Sequence, residues 1–182
     1  MKNILIALIA AAAIAPVAAQ AESYIGANVG RGELKFNVDG IVTLKNNDTA
    51  FKVYGGYNFN KFFGIEAGYA DLGKLTATFE GDTASASSRA TYVAATGAIP
   101  LAERFALIAK VGVANSRTKI TAAGEADDNY KNTGAMFGVG TAYLFTPSLV
   151  GVVEYENFGK VLDEDGVNQK SATLSVGLRF KF

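Results

Sequence analysis

The last ten residues, Thr173 to Phe182, read TLSVGLRFKF and alternate with a period of two. Leu174, Val176, Leu178, Phe180 and Phe182 take one face of an extended strand, and Thr173, Ser175, Gly177, Arg179 and Lys181 take the other. A strand of this kind must set its apolar face against protein or lipid and its charged face against water or counter-charges. It cannot stand alone, and the same pattern recurs upstream.

Alternating segments lie at about 23–33, 49–59, 62–72, 89–99, 104–117, 133–145, 148–158 and 171–182. Short connections (Phe59 to Phe62, Ile99 to Arg104, Phe145 to Ser148) alternate with long polar ones at about 34–48, 73–88, 118–132 and 159–170. An even number of strands, with short turns at one rim and long loops at the other, predicts an all-β fold: a closed, eight-stranded antiparallel up-and-down barrel that crosses a membrane. No segment after Ala21 holds 18 consecutive apolar residues, which excludes a membrane-spanning helix there.

The N-terminus reads as an export signal. Lys2 supplies a basic start, Ile4 to Ile14 an apolar run too short to span a bilayer as a helix, and Ala19-Gln20-Ala21 an A-x-A cleavage site. The expected organisation is a cleaved leader over 1–21 and one barrel domain over 22–182. The mature chain carries a net charge of −1, which argues against nucleic acid as a partner.

Period-two alternation assigns each strand an outer face. The outward sets are Ile25, Ala27, Val29; Phe51, Val53, Gly55, Tyr57, Phe59; Phe63, Ile65, Ala67, Tyr69; and Val93, Ala95, Gly97, Ile99. They continue with Phe105, Leu107, Ala109, Val111, Val113; Phe137, Val139, Thr141, Tyr143, Phe145; Leu149, Gly151, Val153, Tyr155; and the C-terminal set. None is charged, as a lipid-facing wall requires, because Arg or Lys at the bilayer midplane costs ~2–4 kcal/mol. Phe59, Phe63, Phe105, Phe145 and Phe182 fall at the short-turn ends, and Phe51, Tyr69, Phe137 and Tyr155 toward the long-loop ends. These are expected to form two aromatic girdles at the membrane interfaces.

The inner face holds Lys52, Glu66, Lys110, Glu154, Glu156 and Arg179, three of each sign, beside Tyr54, Tyr92, Asn58, Thr96 and small residues such as Gly64, Gly68, Gly112, Gly138 and Gly140. A barrel of about eight strands is filled by its own side chains. Ionised groups persist there only when paired. The expected pairs are Glu66 with Arg179, and Lys52 and Lys110 with Glu154 and Glu156. They would plug the lumen; the rival reading is that they line an ion path.

Taken together, these residues resemble the OmpA-type transmembrane domain. The resemblance is carried by Tyr24-Ile25-Gly26-Ala27, Tyr54 to Asn60 (YGGYNFN), Gly64 to Tyr69 (GIEAGY) and Leu72-Gly73. It continues through Ile99-Pro100, Lys110-Val111-Gly112, Tyr143 to Pro147 (YLFTP), Glu154-Tyr155 and Leu174 to Phe180 (LSVGLRF). It implies a barrel in the outer membrane of Gram-negative bacteria, inserted by the barrel-assembly machinery, with Phe180 and Phe182 as the C-terminal assembly signal. It also implies structural and adhesive roles in the cell envelope and at most a small gated pore. Two departures follow. Many relatives continue into a peptidoglycan-binding domain, whereas this chain stops at Phe182, so no cell-wall tether is expected. The family's plug often has a basic residue on strand four, an acidic one on strand six and an Arg on strand seven; these places hold Thr96, Ala142 and Val152.

No catalytic constellation is visible. With no His and no Cys, His-dependent hydrolases, Cys nucleophiles and the usual zinc sites are excluded. Ser85, Ser87 and Ser88 have no candidate base, and Gly138-Val139-Gly140 lies inside a strand rather than at a dinucleotide-binding turn. Asp163 to Asn168 and Asp127-Asp128-Asn129 are acidic loop tips with a partial likeness to calcium loops; no metal or cofactor is assigned. The reading is therefore an integral outer-membrane barrel, not an enzyme, in contact with outer-membrane lipids and lipopolysaccharide, with loops available to host or phage ligands. A narrow porin-like channel is the alternative, and a soluble lipocalin-like barrel the more distant one, since it needs the opposite polarity.

Overall fold

The computed structural model describes residues 21–38, 42–79, 82–122, 128–164 and 167–182. The proposed leader lies outside them except for Ala21, as do the side chains of the acidic tips at 127–129 and 163–168. Eight strands follow one another: β1 (Glu22–Val38), β2 (Val42–Asn58), β3 (Phe63–Phe79), β4 (Asp82–Ala102), β5 (Phe105–Ala122), β6 (Asp128–Leu144), β7 (Leu149–Glu164) and β8 (Val167–Lys181). Each pairs antiparallel with its sequence neighbour, and β8 returns to β1, so no edge is left open. The seam is finished by Ser23 and Phe182, which exchange backbone hydrogen bonds at 3.2 and 2.9 Å.

Following one ladder row around the barrel leads from Glu22 through Asn58, Gly64, Thr96, Lys110, Gly138, Glu156 and Thr173 to Gly32. The circuit therefore closes ten residues further along β1 than it began. Such a stagger tilts the strands steeply, in the range of about 35–45°. Groups at one depth in the lumen thus come from quite different positions along their strands.

The polarity is greasy outside and charged inside. Val111 is 65% exposed and Leu178 53%, while their neighbours Lys110 and Arg179 are 4% and 9% exposed. This is the reverse of a soluble lipocalin-like barrel. The short connections behave as turns. Asn60 Oδ1 accepts from the amides of Phe62 and Phe63 at 2.8 and 2.9 Å, and Thr146 Oγ1 from Leu149 at 3.0 Å.

The strands are longer than their alternation. Most of 34–48, 73–88, 118–132 and 159–170, read from sequence as long loops, continues as paired strand. Beyond the bilayer the outer face of a hairpin meets water in place of hydrocarbon, so the ladder can run on without apolar alternation to mark it. At the second turn β4 continues to Ala102, leaving only Glu103 and Arg104 as the connection. Pro100 has no N–H to donate, and the register slips between Pro100 and Ala102.

Of three further register shifts, those of β3 between Asp71 and Lys74 and of β7 between Asn157 and Lys160 each hold a glycine. These two share one construction. Gly73 and Gly159 adopt φ of 92° and 72°, and each donates its amide to the side chain two residues before it, Asp71 at 3.1 Å and Asn157 at 2.8 Å. The residue between, Leu72 or Phe158, is fully buried in the lumen. Only glycine takes that backbone region without strain.

Candidate functional site

The site is the filling of the barrel, and it is layered. Nearest the long-loop end, small hydroxyl residues face inward, with Ser88 and Thr118 sharing a hydrogen bond of 2.9 Å. Below them lies an apolar layer that includes Leu72, Met136 and Phe158, packed with Ala70, Ala90 and Ala114. The charged layer comes next. On its turn side, Ile108, Val150 and Val152 form a second apolar cluster with Ala142 and Leu144 packed against it. Two of the positions where the resembled family carries plug charges, Ala142 and Val152, therefore pack as hydrocarbon, and Thr96 is buried beside Lys110 in the ladder.

Lys52, Glu66, Lys110, Glu154, Glu156 and Arg179 meet in the charged layer, each at least nine-tenths buried. Lys52 Nζ lies 2.7 Å from Glu154 and from both oxygens of Glu156. Lys110 Nζ lies 2.6 Å from Glu66, 2.6 Å from Glu154 and 3.3 Å from Glu156. Arg179 Nη2 is 3.4 Å from Glu66 and 3.8 Å from Glu154. Glu66 meets Arg179, and Lys52 and Lys110 meet Glu154 and Glu156, the contacts expected from sequence. Lys110 reaches Glu66 as well as the β7 glutamates, and the six form one network. The physical reason is the stagger, which brings β3, β5 and β7 side chains to one depth.

Aromatic and amide groups complete the layer. Tyr24 and Tyr92 donate to opposite oxygens of Glu66 at 3.0 and 2.7 Å. Asn28 donates to Glu154 at 2.8 Å and accepts from the Tyr54 hydroxyl at 3.1 Å. The Arg179 guanidinium stacks over the Tyr24 ring, 4.2 Å from its centroid, a cation–π contact that holds it where its Nε has no hydrogen-bond acceptor among the described residues. Tyr24 and Asn28 were missed as network members in the sequence reading. Parity alone would have found them, since they alternate with the outward Ile25, Ala27 and Val29.

Glycines make room for these side chains. A Cβ at Gly68 would lie 2.7 Å from the Tyr92 hydroxyl, and one at Gly56 would strike the Tyr24 ring. A Cβ at Gly140 would come within 3.0 Å of Glu154 Cγ. Each bulky inward group thus sits in a notch left by a neighbouring strand, which is how a narrow lumen holds long side chains at close packing.

Towards the turn rim the interior opens. A vestibule of about 580 Å³, lined by Asn58, Ala98, Ala106, Ala142, Leu144 and Arg179 among others, ends against the charged layer. A void of about 10 Å³ between Asn28, Lys52, Glu156 and Phe158 is room for a single water. Among the described residues no group of three or more His, Cys, Asp or Glu could hold a metal ion.

The outer wall carries the aromatic residues named from sequence. Phe63, Phe105, Phe145 and Phe182 are exposed at the turn end, and Phe59 lies just past β2 with its ring edge-on to Tyr57 at 5.5 Å. Phe51, Phe137 and Tyr155 are exposed toward the other end, where half-buried Tyr69 packs against Phe51. Phe180 is exposed on β8. Tyr143, outward beside Phe145 at 5.2 Å, and Phe62 are exposed at the turn end as well.

Among known proteins, the chain is similar to outer membrane protein A of Salmonella typhi, 27% identical over 144 residues that cover 75% of this chain and 41% of the relative. The same identity and coverage hold for outer membrane protein A of Shigella flexneri. The chain therefore spans about two-fifths of the length of these relatives. Among solved structures it is similar in fold to Neisserial surface protein A, with a TM-score of 0.63 at 18% identity, covering 88% of this chain and 97% of that one. It is similar too to Ail, the attachment invasion locus protein of Yersinia pestis, in complex with the heparin analogue sucrose octasulfate, with a TM-score of 0.60 at 19% identity, covering 88% and 99%. Residues 4–180 match the outer membrane protein β-barrel domain, and the chain belongs to that family, an eight-stranded barrel of the outer membrane.

Proposed function

We propose that this protein is a structural and surface-interaction barrel of the cell envelope, without catalysis, whose lumen is plugged. The observation that carries the reading is the charged layer itself. Six balanced charges, all buried and mutually paired, fill the mid-barrel and are covered on the long-loop side by Leu72, Met136 and Phe158. An ion path needs charges that water or permeant ions can reach, whereas these are bonded to one another. The vestibule ends on this layer. Outer-membrane lipids and lipopolysaccharide surround the wall, the aromatic girdles anchor it at the two interfaces, and the barrel-assembly machinery inserts it by way of Phe180 and Phe182. Residues 1–21 act as the export leader. The loop ends are the surface offered to host or phage molecules, a role that the complex of Ail with a heparin analogue makes reasonable.

Planar-bilayer conductance of the purified, folded protein tests the plug. The expected record shows no large, long-lived openings. Stable openings of porin size would establish the channel reading in its place.

A further inference from the structure

A row of cations crosses the outer wall at the long-loop end. The ladder sets Arg89 of β4 opposite Arg117 of β5, and Arg117 opposite Lys131 of β6. All three are exposed and share the outward parity of Val93, Val113 and Phe137. Side chains directly opposite stand about 5 Å apart at Cβ, where like charges repel. Asp71, next in the row on β3, offsets one of them, its carboxylate 3.5 Å from Arg89 Nε. Among the described residues Arg117 and Lys131 have no carboxylate beside them. The chain's formal net charge is zero, so the row is a local concentration and not a share of general basicity.

The rows beneath it place it relative to the membrane. One step toward the bilayer stand Thr91, Asn115 and Thr133, with Asn115 donating to Thr133 at 2.8 Å. One step further stand Val93, Val113 and Ala135. The wall passes from hydrocarbon through neutral polar groups to cations within four residues of strand, the order of a membrane interface. In the outer-membrane barrel plan the long-loop end faces outward.

We propose that Arg89, Arg117 and Lys131 bind the phosphate groups of a phosphorylated lipid in the outer leaflet, with its acyl chains lying on the apolar β4–β6 wall below. The site is on the flank of the barrel, continuous with the lipid-facing band, and not at a loop tip, which favours a lipid over a soluble polyanion. It relieves the repulsion along the row by interposing anions between the cations.

The proposal rests on the outer-membrane placement, and its test separates the two. The protein is refolded in phosphatidylcholine vesicles doped with bisphosphorylated lipid A or with its dephosphorylated form. Retained lipid is then counted by native mass spectrometry. Heat-modifiable gel migration of the same samples reports on the barrel itself. Wild type is expected to keep the bisphosphorylated lipid and to release the dephosphorylated one, an arm that needs no variant. The double variant Arg117→Gln/Lys131→Gln is expected to retain lipid A about thirtyfold less well, from the ~1 kcal/mol per cation typical near a membrane surface. Equal retention of the two lipids by wild type, or undiminished retention by the heat-modifiable variant, overturns the proposal. Capture of sucrose octasulfate by a wild type that keeps no lipid A overturns it in favour of a soluble polyanion.

Discussion

The Lys52 ammonium on β2 stands 2.7 Å from both carboxylate oxygens of Glu156 on β7, across the barrel interior and through the closing seam of β1 and β8. Strands distant in sequence are thereby tied by a contact that no hairpin supplies. The same carboxylate meets Lys110 at 3.3 Å, so its removal leaves two lysines short of a partner.

Truncation within this layer is expected to be costly. Glu66→Ala strips the partner from Lys110, Arg179, Tyr24 and Tyr92 together, and Lys110→Ala leaves three carboxylates short of a cation. Each is expected to destabilise the barrel by roughly 3–5 kcal/mol, since an uncompensated charge stays buried. Urea titrations in detergent micelles or thin bilayers measure it. Changes near zero in both variants would show that the network contributes little to stability.

The outer wall gives the opposite expectation for charge. Val111→Arg places a cation among Val93, Val113 and Phe137 on the lipid face, at a cost of ~2–4 kcal/mol if the site lies at mid-bilayer. Thr91→Arg, nearer the interface, is expected to cost about 0–1 kcal/mol. Comparing both in vesicles checks where the hydrocarbon band ends; equal costs would contradict the assigned depth.

The paired bulges yield a third expectation. Phe158→Ala is expected to cost about 3–5 kcal/mol and Leu72→Ala about 2–5 kcal/mol, as for cavities opened in a packed core. Gly159→Ala forces a Cβ into a φ of 72° and to 2.7 Å from the Ala135 carbonyl oxygen. It is expected to destabilise by roughly 1–3 kcal/mol through strain. If it matches wild type in a chemical denaturation series, the bulge geometry is wrong.

The seam can be probed at its last residue. Deleting Phe182 removes its two backbone bonds to Ser23 and an exposed ring at the turn-end interface. The shortened chain is expected to fold more slowly and to show a smaller heat-modifiable fraction after a fixed refolding time. An unchanged time course would deny the residue any part in closure.

Much of the fold was legible because a barrel wall between lipid and lumen imposes strict alternation. Lys110 beside Val111, or Arg179 beside Leu178, can be assigned a face from parity alone. The upper halves of the hairpins were illegible for the same reason. Beyond the bilayer no hydrocarbon contrast marks residues such as Asp82 to Ser87, although their backbone pairs with β3.

Sequence by itself determined the strand number, the polarity of the wall and the charge balance of the lumen, because each follows from period-two alternation between hydrocarbon and a narrow interior. Tertiary structure alone decided who meets whom. The ten-residue stagger carries Lys110 to Glu66, the bulges shift the register of β3 and β7 beyond Leu72 and Phe158, and the notches at Gly56 and Gly68 seat Tyr24 and Tyr92. These contacts depend on strand tilt and closure, properties of the whole ring that no single segment encodes.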